Sequence, residues 1–418
     1  INFFLGTEFY SAVIREILAN PEAYGRSEYG RDEKVMVEFV SANPTGPMHM
    51  GNARGGALGD CLAAVLDKAG YNAWREFYVN DAGNQIEKFG CSLEARYLQI
   101  FKGDEIEFPE DGYQGEDIKD LAKEYADLNG DSLVNVSAEK RKKALVDYAL
   151  PKNIKKMQAD MEKYKIFYDK WFFESELHKS GAVKAVVDLL TKKGLTYEKE
   201  GAVWYKNKEV LTQKLLKEGK SQKYIDNLEL KDDVLIRQNG NPTYFTADIA
   251  YHKNKFDRGF TTLIDVWGAD HHGHVMRMKG AMDAIGYDGD KLNVVLMQLV
   301  KLVKDGELVR MSKRTGKAIQ LGDLLDEVPV DSARFLFNTK EANTQMDFDL
   351  DLAVSQDNQN PVYYVQYAHA RICSIFKSLA KEGISPRECT DAELALLTAP
   401  EEKELINHLA SYTNEIIS

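Results

Sequence analysis

Residues 35–60 read VMVEFVSANPTGPMHMGNARGGALGD, and the fold class follows from this stretch. The run Val35-Met36-Val37-Glu38-Phe39-Val40 is largely apolar and rich in β-branched residues, the composition of a buried strand. Pro44, Gly46 and Pro47 then interrupt it. After His49-Met50-Gly51-Asn52, apolar residues recur at Leu58, Cys61, Leu62, Val65 and Leu66 before Gly70, which is helical spacing with a stop signal. Strand, tight loop and helix together aim unpaired helix amides at an anion. His49 and Asn52 are three apart and are expected to share a face of the first helical turn. Gly51 between them leaves room for a flat ring or a phosphate against the backbone. On these residues alone, a purely structural strand–loop–helix stays open beside a nucleotide site.

His49-Met50-Gly51-Asn52 resembles the HIGH signature of class I aminoacyl-tRNA synthetases, and the longer string from Glu38 to Asp60 resembles arginyl-tRNA synthetases. The fourth signature position, usually His, is Asn52 here. Its amide donates a hydrogen bond to phosphate but carries no charge.

Composition sets the frame. The chain has 418 residues, 44% of them hydrophobic, enough for two or three domains. Its four cysteines, Cys61, Cys91, Cys373 and Cys389, lack zinc-ligand or disulfide-framework spacing, which suits a reducing cytosol. Neither a signal peptide nor an apolar run near the roughly 20 residues of a membrane span is visible. A net charge of −12 argues against a surface that grips nucleic acid everywhere, without excluding a local basic groove.

In chain order, residues 1–30 read as a connector helix ended by Asn20-Pro21, and the start at Ile1 suggests a trimmed chain. Residues 31–90 read as the first half of a Rossmann-like domain, with Trp74–Val79 a second parallel strand. The loop after it, Asn80-Asp81-Ala82-Gly83-Asn84, lies where open parallel sheets bind ligands. YVNDAGNQI also resembles the family, while a turn capped by Asp81 or Asn84 is the bland alternative.

Residues 91–230 read as a mainly helical insertion. In it, Lys140-Arg141-Lys142-Lys143 reads as a solvated helix face before a phosphate contact, and the aromatic run Tyr168–Ser175 as core packing. Residues 231–345 read as the second half of the catalytic domain, opening with the strand Asp233–Arg237. Tyr244 and Asp248, four apart on a predicted helix, project together, and a phenol with a carboxylate suits a planar cation. The surrounding TYFTADIAYH resembles the family's substrate helix.

The strand Leu263–Trp267 leads into Gly268-Ala269-Asp270-His271-His272-Gly273-His274. Adjacent histidines cannot face one ion on a helix, so no metal is expected here. Gly268 and Asp270 fit the GADHH signature that this segment resembles. After a last core strand and the turn Asp305-Gly306, Arg310-Met311-Ser312-Lys313-Arg314 resembles the second class I signature, KMSKS, with Lys313 retained. A plain basic surface loop is the alternative. The two signatures stand in family order about 260 residues apart. Residues 346–418 read as the start of an all-α anticodon-binding domain.

The resemblance therefore implies an α/β class I catalytic domain with a helical insertion and a helical C-terminal domain. It implies arginine activation by ATP with Mg²⁺ on the phosphates, then transfer to the 3′ end of tRNA(Arg), by a cytoplasmic monomer with no membrane contact. In the family this chain resembles, arginine activation needs tRNA bound first. Pro47, His49, Gly51, Asn52, Gly268, Asp270, Arg310, Met311, Ser312, Lys313 and Arg314 would bind ATP, with His49, Asn52 and Lys313 carrying the chemistry. Glu38, Ser41, Asn43, Glu174, Tyr244 and Asp248 would bind arginine. Two other readings stay open: a synthetase-like binding protein impaired by Asn52, and a class I enzyme for another amino acid.

Overall fold

Val35, Met36 and Val37 are sealed from solvent, which is what their β-branched and apolar side chains dictate. They form β1 (Lys34–Glu38) in the middle of a five-stranded sheet. A computed structural model describes residues 6–309 and 319–418. The further strands are β2 (Asn72–Val79), β3 (Lys170–Phe173), β4 (Thr196–Lys199), β5 (Ala202–Tyr205) and β6 (Asp233–Ile236). They continue with β7 (Thr262–Gly268), β8 (Leu292–Met297), β9 (Val300–Lys304), β10 (Glu307–Val309) and β11 (Met346–Asp349). The central sheet runs β3-β2-β1-β7-β8, with β2–β3 and β7–β8 parallel. Strand order reverses beside β1, where open α/β sheets form their crevice.

The chain divides into two compact units, 36–60 with 74–354, and 1–35 with 61–73 and 355–418. In the first, Met36, Phe172, Leu235, Leu263 and Leu292 share a core with helices Ala182–Lys192, Tyr244–Asp257 and His272–Ile285. A separate helical core joins Phe89, Leu93, Ile118 and Leu145 from Asn84–Lys102, Glu116–Asn129 and Ala138–Lys163.

Four expectations change. Lys170–Phe173, expected inside the insertion, is an edge strand of the central sheet, because Trp171 stacks on Phe77 at 4.2 Å. Asp233–Ile236 opens no central strand; it pairs antiparallel with β5 in the separate sheet β4-β5-β6. Residues 346–349 are β11, parallel to β9; a short helix, Leu350–Val354, follows, and the long helix starts at Pro361, where the Asn360 side chain caps it. The helix Thr7–Ala19 packs Tyr10 and Val13 on Ile406 of Pro400–Ile417, which makes it part of the helical unit.

The basic run resolves into paired charge. Arg141 is buried on the carbonyls of Leu133, Val134 and Val136 and on Glu94, and Lys143 meets Asp147. Asp305 and Gly306 both take positive φ, 54° and 76°, as a two-residue turn between β9 and β10 requires.

Candidate active site

The candidate site begins where β1 stops. Val40 and Ser41 carry φ of +73° and +44°, a conformation that costs a β-branched residue of order 1–3 kcal/mol. Ser41 holds the bend: its hydroxyl donates to Glu38 Oε1 at 2.7 Å and accepts the N–H of Tyr78 at 3.1 Å.

His49 sits ahead of the helix rather than on its first turn. It bridges to Gln320, and the helix Gly51–Lys68 starts two residues later. Asn52 Oδ1 accepts the His49 backbone N–H at 3.0 Å, and His49 Nδ1 accepts the N–H of Gly51 at 3.1 Å. The ring is therefore unprotonated at Nδ1, and desolvation by its surroundings pushes the imidazole below its ordinary pKa. Asn52 keeps its amide NH₂ as the group that can donate to phosphate. A Cβ on Gly51 would lie 2.9 Å from His49 Nδ1 and Cε1, so this glycine makes room first for its own neighbour's ring.

Behind the loop, fully buried Arg54 donates to the carbonyls of Gln298, Thr344 and Glu341 at 2.9, 2.9 and 2.8 Å. This fixes the signature helix to the segments flanking β9 and β11.

His49, Gly51, Asn52, Gly268 and Asp270 line one cavity of about 1120 Å³. Pro47 is not in its wall. Arg310, Met311, Ser312, Lys313 and Arg314 lie outside the described residues. A second cavity of about 740 Å³ is lined by Glu38, Ser41, Glu174, Tyr244 and Asp248, with Tyr78 and His274. Val40, Val266, Gly268, Asp270 and His271 belong to both walls, so the two chambers adjoin. Asn43 is exposed and lines neither.

The second chamber is acidic, and its charges are set by burial and histidines. Tyr78 donates to Glu174 Oε2 at 2.8 Å, and His178 Nε2 lies 3.2 Å from Oε1. Burial raises the Glu174 pKa against the pull of those two partners. His252 Nδ1 faces the Asp248 carbonyl at 2.8 Å and its carboxylate at 3.2 Å, while Nε2 faces Asp265 at 2.7 Å. Both ring nitrogens meet acceptors, so His252 is an imidazolium. Burial and Lys255 oppose that charge, Asp265 and Asp248 prevail, and its pKa rises to about 10. Burial likewise opposes ionisation of Asp248, yet His252 and His274, the latter 2.6 Å away, hold it far below the ordinary carboxylate range.

Among the described residues, Glu38, His252 and Asp265 are a buried trio close enough to hold a metal. The Lys255 ammonium already fills that place, 2.5 Å from Glu38 and 2.8 Å from Asp265, so the trio does not fit a metal ion as well. Asp81 accepts the N–H of Ser175, so neither it nor Asn84 caps the helix Asn84–Lys102, which Gly83 precedes. His252, Lys255, His274 and Tyr78 escape a reading of the sequence. Only the four-residue spacing of Asp248 and His252 signals any of them.

A model of "tRNA synthetases class I (R), catalytic domain" matches residues 13–373, and a "DALR anticodon binding domain" matches residues 365–418. Arginine–tRNA ligases of Ruminiclostridium cellulolyticum and Acetivibrio thermocellus are 56% and 54% identical across all of this chain and 71% of their own length. The chain belongs to the arginine–tRNA ligase family. A Campylobacter jejuni structure provisionally assigned to the same family superposes with a TM-score of 0.81 at 35% identity, covering 99% of this chain and 86% of that one. Arginyl-tRNA synthetase of Thermus thermophilus shares the fold, with a TM-score of 0.69 at 22% identity over 100% of this chain and 74% of that one. The family is an aminoacyl-tRNA synthetase family, so ATP use and a parallel-sheet catalytic fold come with it.

Proposed function

We propose that this chain activates L-arginine with ATP and transfers it to the 3′ end of tRNA(Arg), with the two adjoining chambers as the ATP and arginine sites. The observation that carries this is their shared wall: an acidic chamber opens beside the chamber of the strand–loop–helix signature. An oxygen of the arginine carboxylate forms a bond to the α-phosphorus, and the bond to the β-phosphate oxygen breaks as pyrophosphate leaves. The terminal ribose hydroxyl of tRNA then attacks the arginyl carbonyl and AMP departs. Neither step needs an enzyme nucleophile, so rate comes from positioning and charge.

His49 and the Asn52 amide hold phosphates, and Gly51 and Gly268 lie against the nucleotide. Lys313, with Arg310 and Arg314, meets the departing pyrophosphate. Glu174, Asp248 and Tyr244 read the guanidinium, because buried carboxylates penalise a neutral side chain that leaves them unpaired. Ser41 and Glu38 act by fixing the bend that faces the substrate amine. Magnesium would arrive on the ATP phosphates; the Glu38–His252–Asp265 trio does not hold it. We assign the chain to the cytosol as a monomer; among the described residues no helix is long and apolar enough to cross a membrane.

Charging of tRNA with each of the twenty amino acids tests the reading. Arginine alone is expected to be esterified, and Lys313→Ala to lower turnover far more than arginine affinity. Charging with another amino acid would replace the substrate, and binding of arginine and ATP without charging would favour an impaired binding protein.

A further inference from the structure

Both oxygens of Asp248 are engaged before any substrate arrives: Oδ1 faces His252 Nδ1 at 3.2 Å and Oδ2 faces His274 Nε2 at 2.6 Å. His252 cannot yield, since it is 1% exposed and tied to Asp265 on its far side. His274 differs. It lines the acidic cavity, its side chain is 20% exposed, and Trp267 and Phe245 flank its ring at 5.3 and 5.6 Å.

Behind Asp248 the buried groups already satisfy one another: His252 also meets Asp265, and Lys255 joins Asp265 to Glu38. On the cavity side Asp248 meets the His274 ring.

We propose that His274 is a specificity-determining residue that holds the guanidinium's place on Asp248, so that arginine enters by displacing the Nε2–H. The proposal rests on the reading of Asp248 as a guanidinium ligand. It gives the empty site a satisfied carboxylate, which lowers the cost of the unliganded state. It also makes arginine compete with the imidazole for one oxygen of that carboxylate. The other charged groups around His274 are Asp233, which Arg277 pairs on the same helix as His274, together with His271, Asp270 and Glu174 on the cavity wall. Arg277 cannot replace His274 on Asp248 while it is held by Asp233 and lies over the Phe245 ring at 4.8 Å.

Calorimetric titration of the whole chain with arginine tests this with His274→Phe, His274→Gln and Asp248→Asn. His274→Phe, which no longer competes for Oδ2, should bind arginine several-fold more tightly than the unaltered chain. His274→Gln, which keeps a neutral N–H donor, should stay close to the unaltered affinity. Unchanged or weaker binding by His274→Phe, with His274→Gln behaving the same way, would overturn the proposal. Unchanged affinity in Asp248→Asn would instead overturn the reading it rests on.

Discussion

The Lys255 ammonium lies between Glu38 Oε2 and Asp265 Oδ1 with no exposure to solvent, joining the helix Tyr244–Asp257 to β1 and β7. This buried cation braces the Glu38–Ser41 bend from behind. Lys255→Met leaves two buried carboxylates facing each other, and breaking such a pair costs about 3–5 kcal/mol. Urea unfolding should show a loss of that size, partly recovered when Glu38→Gln is added. A loss under about 1 kcal/mol would mean that the cluster is solvated.

Asp248→Asn removes the ionised acceptor while keeping its shape. Truncating one partner of a desolvated charge pair costs about 2 kcal/mol or more, near 30-fold in affinity. Arginine binding by calorimetry should weaken at least that much, with ATP binding unchanged. Equal weakening of both ligands would point to a folding defect.

Gly51→Ala places a Cβ against the His49 ring. The ring must turn out of its position in the wall of the 1120 Å³ cavity proposed for ATP. Misplacement of a positioning group by about an ångström lowers turnover roughly 10²-fold. Steady-state exchange kinetics should show that drop, with arginine affinity intact and with the same melting temperature to within a few degrees.

His252 gives the protein a signed dependence on alkali. Its pKa is about 10 in the fold, against about 6.5 for a free side chain. Between these values the native state holds a proton that the unfolded chain has lost, so stability is full below the lower value and falls as pH rises through the upper one. Unfolding free energy measured from neutral pH to about pH 10 should decline, and His252→Asn should flatten the decline. Asp248 works in the opposite sense: its contribution is present above the ordinary carboxylate range and is lost as acid is added.

The strand–loop–helix of residues 35–68 was legible because a β-branched run, two prolines and a helical repeat each point one way. The start of the helix was misplaced by two residues, since a distant partner, Gln320, draws His49 into a bridge that no local pattern records. Lys170–Phe173 hid for a related reason: a four-residue aromatic strand that runs straight into the helix Glu174–Lys179 has too short a period to be told from helix packing. Lys255 and His252 were invisible for another: a Lys on a helix reads as solvated until the fold places it between two buried carboxylates. Tyr244, Asp248 and Glu174, from segments far apart in the chain, line one cavity, a juxtaposition that no local pattern in the sequence records.

The most direct test of the account is ATP–pyrophosphate exchange with tRNA present, comparing arginine with citrulline, its neutral near-isostere. The account predicts exchange with arginine, none above background with citrulline, and loss of the arginine signal in Asp248→Asn. Equal exchange with both amino acids, or arginine exchange that survives in Asp248→Asn, would contradict a guanidinium site built on that carboxylate.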